Sequence, residues 1–197
     1  MYLHSPFNES RSEHLHALVR QYPLGTLVTH GADGLCADHI PFELSSPTAD
    51  APFGVLRAHV ARANPLWRQH ADTMVVFQGP SRYVSPSLYE EKAISGKVVP
   101  TWNYAVVHAH GHLRSIEDPA WILALLERMT TQHEAARAHP WAVHDAPGEF
   151  LDKLTQAIVG IEIPVLRLEG KFKLSQNRSE ADQQRIAVDT GIAALRG

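Results

Sequence analysis

Four short runs rich in β-branched and aromatic residues follow one another between Leu24 and Gln78. Runs of this kind predict β-strands. Between the first two, Gly31-Ala-Asp-Gly34 supplies the positive-φ residues of a tight hairpin turn. A doubly wound parallel sheet needs a helix between successive strands, and this part of the chain lacks that strict alternation. The pattern therefore predicts an antiparallel arrangement, with strands near residues 24–30, 36–43, 53–60 and 73–78.

Two further strands complete the predicted sheet. The longest runs from Thr101 to Arg114, and the last covers residues 161–168. Six or so strands, mostly joined as hairpins, with helices gathered at the start and near the end, indicate a small antiparallel β-barrel of the α+β class. We interpret residues 1–197 as a single domain, which is long enough to bury a hydrophobic core.

Capping residues mark where the helices should begin. Ser10 opens a capping-box pattern that predicts an N-terminal helix. Asp118 and Pro119 are a strong helix start, and a second inserted helix begins near Pro147, so two helices are expected within about residues 118–158. Ser179 caps a C-terminal helix over about residues 179–190. The helix after Pro147 is expected to bury Phe150, Leu151, Leu154 and Ile158.

Charge and cysteine content exclude several classes of function. The net charge of −3 gives the whole chain no electrostatic attraction to nucleic acid or to an anionic membrane. Cys36 is the only cysteine, which excludes an internal disulfide and a zinc site built on thiolates, and we expect it to be a small buried residue. The sequence lacks a secretory leader and an apolar run of about 20 residues, so a cytoplasmic protein is expected.

Seven blocks of sequence, in order along nearly the whole chain, resemble one known family. They are Pro23-Leu-Gly-Thr-Leu-Val-Thr29, Asp38-His-Ile-Pro-Phe42, His59-Val-Ala-Arg-Ala-Asn-Pro-Leu-Trp67, Phe77-Gln-Gly-Pro80, Tyr83-Val-Ser-Pro86, Val99-Pro-Thr-Trp-Asn-Tyr104 and Gly170-Lys-Phe-Lys-Leu-Ser-Gln-Asn-Arg178. The chain resembles the PaiB family of FMN-binding split-barrel proteins, which are labelled negative transcriptional regulators of the protease synthase and sporulation type. The resemblance implies a split β-barrel related to pyridoxamine-phosphate oxidases and flavin reductases, and a homodimer with FMN between its subunits.

A bound FMN needs cationic and hydroxyl donors for its phosphate, an aromatic wall for its ring and amides for its pyrimidine edge. Arg62 lies just after a strand, where a guanidinium can donate two hydrogen bonds to a phosphate, and His59 and Asn64 can add single ones. In related split barrels the corresponding strand-to-helix junction holds the phosphate, so the resemblance implies this role for Arg62. The alternative is that Arg62 pairs with a surface carboxylate while His59 fills the core.

Two other segments complete the predicted cofactor site. Trp102 and Asn103 are neighbours on a strand and therefore point to opposite faces, so Asn103 is expected to offer its amide to the flavin, with Trp102 also assigned to the pocket. The alternative is a core strand whose amide is satisfied. Near the end of the chain, the predicted donors across a dimer interface are Lys173, Ser175, Gln176 and Asn177. The alternative there is a solvated linker before the last helix, which is the favoured interpretation for Lys171.

His108, His110 and His112 alternate along the longest strand, so all three are expected on one face. Imidazoles two residues apart on a strand can converge on a metal ion. Because a carboxylate or thiolate at a telling spacing is lacking, the preferred interpretation is a partly exposed strand that faces a neighbouring subunit. We therefore assign no metal ligands.

Three functions from different classes follow from these observations. The first and preferred one is an FMN-binding negative transcriptional regulator, although direct DNA binding rests on the family resemblance alone because the sequence lacks a clear helix-turn-helix. The second is an FMN-dependent oxidoreductase of the flavin reductase or pyridoxamine-phosphate oxidase type. The third is a haem- or cofactor-handling protein that uses the histidine face. Hydrolysis and phosphoryl transfer are not indicated, because their nucleophile and phosphate-loop motifs are missing from the sequence.

Overall fold

The structure is a computed structural model that describes residues 1–31, 34–69 and 71–191. This part of the chain contains an antiparallel sheet whose strand order is β3-β2-β6-β7-β9-β5-β4, with β1 and β8 also pairing with β9. The sheet and the surrounding helices confirm the α+β split-barrel prediction. The strands are β1 (Asn8–Glu9), β2 (Leu24–Gly31), β3 (Gly34–Pro41), β4 (Glu43–Ser45), β5 (Val55–Ala61), β6 (Asp72–Val84), β7 (Thr101–His112), β8 (Arg114–Ile116) and β9 (Ile158–Lys173).

The helices begin close to the positions that the capping residues predict. The Asp118 side chain accepts a hydrogen bond from the Ala120 N–H at 2.9 Å, and that of Ser179 accepts from Asp182 N–H at 3.2 Å. In the described residues, no helix combines the length and the apolar character that crossing a membrane requires. The helices are α1 (Ser12–Gln21), α2 (Glu91–Ile94), α3 (Pro119–Glu134), α4 (Gly148–Gln156) and α5 (Glu180–Thr190).

The chain divides into two compact units. The first unit is made of residues 1–22, 77–108 and 169 onward. The second unit is made of residues 23–76 and 109–168. Both units take residues from β6, β7 and β9, because these three strands are long.

The β2–β3 hairpin of the second unit follows the predicted pattern, with one correction. Thr26 pairs with His39 and Gly31 with Gly34, and Gly34 has a φ of 102°, which favours glycine. The predicted turn residues Ala32 and Asp33 lie outside the described residues. Cys36 is exposed, so its predicted burial is wrong. The physical reason is that β3 stands at the end of the strand order, where most of its side chains are not covered.

Helix α3 packs in the second unit over a glycine of β9. Gly160 pairs with His59 of β5, and the Trp121 ring of α3 lies where a side chain at position 160 would begin. A Cβ atom placed on Gly160 would stand 2.4 Å from the Trp121 ring, which is far inside van der Waals contact. The absence of a side chain at position 160 therefore makes room for the indole.

Helix α4 differs from its prediction in both length and orientation. It ends at Gln156, and Ile158 is already the first residue of β9. Phe150 and Leu154 are exposed, whereas Thr155 is the buried residue of the helix. The predicted burial of Phe150 and Leu154 is wrong, because an apolar stripe does not by itself specify which neighbour covers it.

Helix α1 of the first unit buries Leu15, Leu18 and Val19, as its periodicity predicts. Its N-cap is Arg11, so the capping role predicted for Ser10 is wrong. The carboxylate of Glu9 instead accepts hydrogen bonds from the Arg11 backbone at 2.9 Å and from the Arg11 guanidinium at 2.6 and 2.9 Å. These bonds lower the pKa of Glu9 to about 2.

Helix α5 holds the segment that follows β6 in the first unit. Ile186 packs with Val84 and Tyr89 in a small core cluster. The Arg185 guanidinium donates to the Leu88 carbonyl at 2.9 Å and to Asp182 Oδ1 at 2.6 Å. The C-terminal helix thus fixes the chain between β6 and α2 through both apolar and charged contacts.

Candidate functional site

Three adjacent strands, β6, β7 and β9, carry aromatic and cationic side chains in the first unit. Trp102 of β7 is 54% exposed and Tyr83 of β6 is 50% exposed. Their rings meet edge to face, with centroids 6.1 Å apart and an interplanar angle of 74°. We call this group the aromatic-lysine face, and it consists of Tyr83, Trp102, Tyr104, Lys171 and Lys173.

The two lysines contact aromatic rings and neutral oxygens. The Lys171 ammonium lies 5.8 Å from the Tyr104 ring centroid and donates to the Tyr2 carbonyl at 3.2 Å. The Lys173 ammonium donates to Thr101 Oγ1 and lies 5.9 Å from the Phe7 ring centroid. Within the residues that the structure describes, neither ammonium has a carboxylate partner. Their positive charge is therefore available to an anionic ligand.

The lysines reach this position because β9 is longer than predicted. The sequence predicts its end at residue 168, but the strand continues to Lys173 and pairs with β1 through Lys171 and Asn8. Sequence reasoning missed Tyr83 and Tyr104 as members of the face, and it favoured a solvated linker for Lys171. The period-2 pattern through Gly170-Lys-Phe-Lys173, with Phe172 buried between two partly exposed lysines, is the signal that could have found the lysine.

Asn103 faces the interior of the first unit. It is 2% exposed, while Trp102 beside it is half-exposed, so the predicted opposite orientation of these two side chains is confirmed. Asn103 Oδ1 accepts a hydrogen bond at 3.0 Å from the hydroxyl of Ser175, which is 4% exposed. The amide oxygen of Asn103 therefore has a partner within the first unit, and its role towards the flavin stays a prediction.

Gln176 and Asn177 are both exposed, but their amides differ in how they are used. Gln176 Oε1 accepts from the Leu174 N–H at 2.7 Å, and Gln176 Nε2 donates to the Phe172 carbonyl at 2.5 Å. The Gln176 amide therefore closes the end of its own strand. Asn177 lies on the surface next to this turn, where its amide can reach a ligand.

Arg62 belongs to the second unit, where it joins three parts of the chain. Its guanidinium donates to the carbonyls of Gln156 at 2.8 Å and Ile158 at 3.2 Å, and to the Glu117 carboxylate at 2.5 Å. Its backbone N–H donates to the Ala157 carbonyl at 2.8 Å. These bonds fix the junction between α4 and β9, so all three guanidinium nitrogens have partners.

Asn64 and His59 also lie in the second unit, each with a local role. Asn64 Oδ1 accepts from the Leu66 N–H at 2.9 Å, and Asn64 Nδ2 donates to Asp38 Oδ1 at 2.9 Å. His59 is half-buried, and burial lowers its pKa, which favours the neutral imidazole. Its Nδ1 is buried and has no hydrogen-bond partner within residues 1–31, 34–69 and 71–191.

The histidines of β7 alternate with buried residues, which confirms that they share one face. His110 Nδ1 accepts a hydrogen bond from Arg167 at 3.0 Å, so its proton lies on Nε2. His112 Nδ1 lies 3.3 Å from Asp72 Oδ1. These two histidines thus have a cationic and an anionic neighbour, respectively.

The donor set of the aromatic-lysine face suits a planar ligand with an anionic group. Two ammonium groups and the Thr101 hydroxyl supply donors of the kind that a phosphate takes. The half-exposed rings of Tyr83 and Trp102 offer a surface on which an aromatic ring system packs, and Asn177 adds an amide. All of these residues belong to the first unit.

Comparison with known families and proteins agrees with this chemistry. Residues 1–167 match the family described as "Putative FMN-binding domain". An uncharacterized protein of Emericella nidulans is 36% identical, over 94% of this chain and 88% of its own length. The protease synthase and sporulation protein PAI 2 of Bacillus subtilis is 31% identical, over 94% of this chain and 87% of its own length.

A solved structure shares the fold. The flavocytochrome Anf3 of Azotobacter vinelandii superposes with a TM-score of 0.62 over 90% of this chain and 75% of that chain, at 14% sequence identity. At this identity the likeness concerns the fold, which agrees with the split barrel predicted from the sequence.

Proposed function

Because this chain belongs to the FMN-binding family that its residues 1–167 match, we propose that it binds FMN on the aromatic-lysine face and acts as a negative transcriptional regulator. The observation that carries the proposal is that the adjacent strands β6, β7 and β9 carry, in the first unit, the half-exposed pair Tyr83 and Trp102 and two lysines that lack carboxylate partners among the described residues. FMN combines a planar ring with a phosphate, which is the chemistry that this face fits.

Four residues of the face and the neighbouring Asn177 have proposed roles. Lys171 and Lys173 bind the phosphate, Trp102 and Tyr83 pack against the ring, and Asn177 hydrogen-bonds its polar edge. When bound, FMN supplies reversible electron transfer. Of the other predicted site residues, we propose that Asn103, Ser175 and Gln176 shape the end of β9. His59, Arg62 and Asn64 are proposed to support the second unit, since their contacts are internal to it.

The regulatory part of the proposal is supported by the resemblance to the PaiB family. A regulator that contacts DNA directly needs a basic surface. Arg185 contributes little to one, because Asp182 and Glu90 accept hydrogen bonds from it at 2.6 and 3.1 Å. We therefore propose that repression works through a homodimer or a partner protein, and that the protein acts in the cytoplasm.

The absorption spectrum of the purified protein, before and after addition of FMN, tests the proposal. We expect a flavin band that shifts on binding, and a light-scattering mass of two chains in the FMN-loaded state. A protein that never acquires a flavin band contradicts the cofactor assignment. Electrophoretic mobility shift with promoter DNA at several salt concentrations tests the regulatory part. A salt-sensitive shift indicates that the homodimer contacts DNA phosphates directly, and the absence of a shift indicates that a partner protein is required.

An FMN-dependent oxidoreductase is the second candidate function. The observation in its favour is that Tyr83 and Trp102 are half-exposed, so a second planar molecule can reach a ring bound there. This candidate predicts that NAD(P)H bleaches the bound flavin under anaerobic conditions. If haem addition instead produces a Soret band that replacement of His108 removes, the haem-handling alternative is favoured.

A further inference from the structure

The end of β9 is joined to the start of β7 by two side-chain hydrogen bonds in the first unit. The Ser175 hydroxyl donates to Asn103 Oδ1 at 3.0 Å, and the Lys173 ammonium donates to Thr101 Oγ1. The two bonds connect residues 173 and 175 with residues 101 and 103, so each strand contributes positions two residues apart. A change in one bond therefore acts directly on the strand ends that hold the other.

The first of these bonds is buried and the second is not. Asn103 and Ser175 are 2% and 4% exposed, whereas Lys173 is partly exposed. A buried hydrogen bond is shielded from competing water, so it holds its geometry better than an exposed one does. The Asn103–Ser175 bond is therefore the rigid member of the pair, and the contact between Lys173 and Thr101 depends on it.

The backbone at Ser175 also needs this bond. Ser175 has a φ of 62°, and it is the one non-glycine residue with a positive φ in the described part of the chain. A residue other than glycine in the left-handed region persists only when its surroundings fix it there. The bond to Asn103 supplies that restraint, together with a turn in which the Ser175 carbonyl accepts from the Arg178 N–H at 3.0 Å.

From this arrangement we propose that Asn103 and Ser175 are positioning residues that hold the Lys173 ammonium where it binds the anionic group of the ligand. The inference rests on the proposed function, since the ligand is FMN. In this proposal, Asn103 and Ser175 affect FMN binding through the position of Lys173, and they do not contact the flavin. Lys173 binds the phosphate in this proposal. Substitutions at position 175 should therefore lower the affinity for riboflavin, which lacks the phosphate, much less than the affinity for FMN.

The first test needs no cofactor. Acetic anhydride is applied in limiting amount to the FMN-free protein, and the extent of labelling at each lysine is read by mass spectrometry. We expect Ser175→Gly, which relieves the backbone strain and removes the hydroxyl, to increase labelling of Lys173 several-fold while Lys171 is unchanged. Thr101→Val removes the acceptor directly and should produce the same increase. Labelling of Lys173 that is unchanged in both variants overturns the proposal.

Ser175→Ala separates the hydrogen bond from the backbone strain. Both variants lose the hydroxyl, but only glycine adopts the positive φ without cost. If Lys173 labelling rises in both, the hydrogen bond is the positioning element, as we propose. If it rises in Ser175→Ala alone, backbone strain is responsible and the proposal is overturned. Circular dichroism melts establish that each variant is folded at the labelling temperature.

The second test measures the dissociation constant of FMN and of riboflavin. Loss of one positioning hydrogen bond should weaken FMN binding by about tenfold in Ser175→Gly. In a Lys173→Met background the same change should have no further effect on FMN, because the lysine that it positions is gone. An equal loss in both backgrounds overturns the proposal. A wild type that binds no FMN refutes the proposed function, and the labelling result then decides the positioning role by itself.

Discussion

Arg62 and the lysine pair Lys171 and Lys173 differ in what surrounds them. The Arg62 guanidinium in the second unit is occupied by two backbone carbonyls and the Glu117 carboxylate. The Lys171 and Lys173 ammonium groups in the first unit contact aromatic rings, a carbonyl and a hydroxyl. Each guanidinium nitrogen of Arg62 therefore has a partner and one of these is a carboxylate, whereas the two lysines have no carboxylate partner among the described residues.

Because of this difference we propose that the lysines bind the phosphate, while the phosphate-binding role of Arg62 stays a prediction from the sequence. The N–H donors of a guanidinium are fixed in one plane. The Arg62 side chain can therefore bind two backbone carbonyls between α4 and β9 and the Glu117 carboxylate at the same time. An ammonium on a flexible stem can exchange its hydroxyl or carbonyl partner for a phosphate at small cost. Whether a cationic side chain can bind a ligand depends more on the hydrogen-bond partners that it already has than on its residue type.

The largest expected effect comes from removing the charge of the aromatic-lysine face. We expect Lys171→Met with Lys173→Met to weaken FMN binding by at least about 100-fold, because two charge-assisted hydrogen bonds are lost and each contributes about 1.5–3 kcal/mol. Quenching of flavin fluorescence measures the dissociation constant. Lys153→Met, on the exposed surface of α4, is the matched control. Equal affinity of the double variant and the control would remove the lysines from the site.

Arg62→Ala should change stability more than affinity. The free energy of unfolding is expected to fall by about 1–3 kcal/mol, mostly from the two carbonyls that lose a charged donor, since the exposed pair with Glu117 contributes little. Urea denaturation measures this change. FMN affinity should stay within about twofold of the wild type, a factor that corresponds to less than one net hydrogen bond. A large loss of affinity with unchanged stability would restore the phosphate-binding role that the sequence predicts for Arg62.

Trp102→Ala tests the aromatic half of the face. We expect FMN affinity to fall by about 5- to 10-fold, since an aromatic contact contributes about 1–1.5 kcal/mol beyond the area it buries. Trp102→Phe should recover most of the loss, because it keeps a planar ring. Riboflavin should be weakened by the same factor as FMN, which isothermal titration can establish. A loss confined to FMN would place Trp102 at the phosphate instead of the ring.

The smallest effect is expected on the pH dependence of stability, at Glu9 of β1. Its carboxylate is hydrogen-bonded to Arg11 and His14. The hydrogen bonds from Arg11 lower its pKa from the usual 4.5 to about 2, so its contribution to stability is complete above pH 4.5 and is lost as the pH falls towards 2. Thermal melts between pH 7 and pH 2.5 should show a weaker loss on acidification for Glu9→Gln than for the wild type. The exposed residue Glu13, changed to Gln, is the control. Identical pH profiles for wild type and Glu9→Gln would contradict this assignment.

The elements of the fold could be predicted because their signals are local. The hairpin turn at Gly34, the Asp118 cap and the Ser179 cap depend on residues within one turn of each other. The exposure of Cys36 and of Phe150 could not be predicted in the same way. Which face of a strand or helix is covered depends on neighbours that are distant in the sequence. The hydrophobic pattern of one segment does not identify these neighbours.

The candidate site was predicted only in part for the same reason. The opposite orientation of Trp102 and Asn103 follows from strand geometry. Strand geometry does not say whether Trp102 or Asn103 points to the interior. Asn103 does so with Ser175 as its hydrogen-bond partner, and this residue is too distant in the sequence for the contact to be predicted. Lys171 was not predicted as a site residue because the strand that carries it extends beyond its obvious apolar run.

The contact between Gly160 and Trp121 has a consequence for how sequences of this family can diverge. Any β-carbon at position 160 collides with the indole, so a larger residue there can be accepted only after the tryptophan has become smaller. The two positions should therefore change together among relatives, and the order of the substitutions should be fixed, with the helix residue changing first.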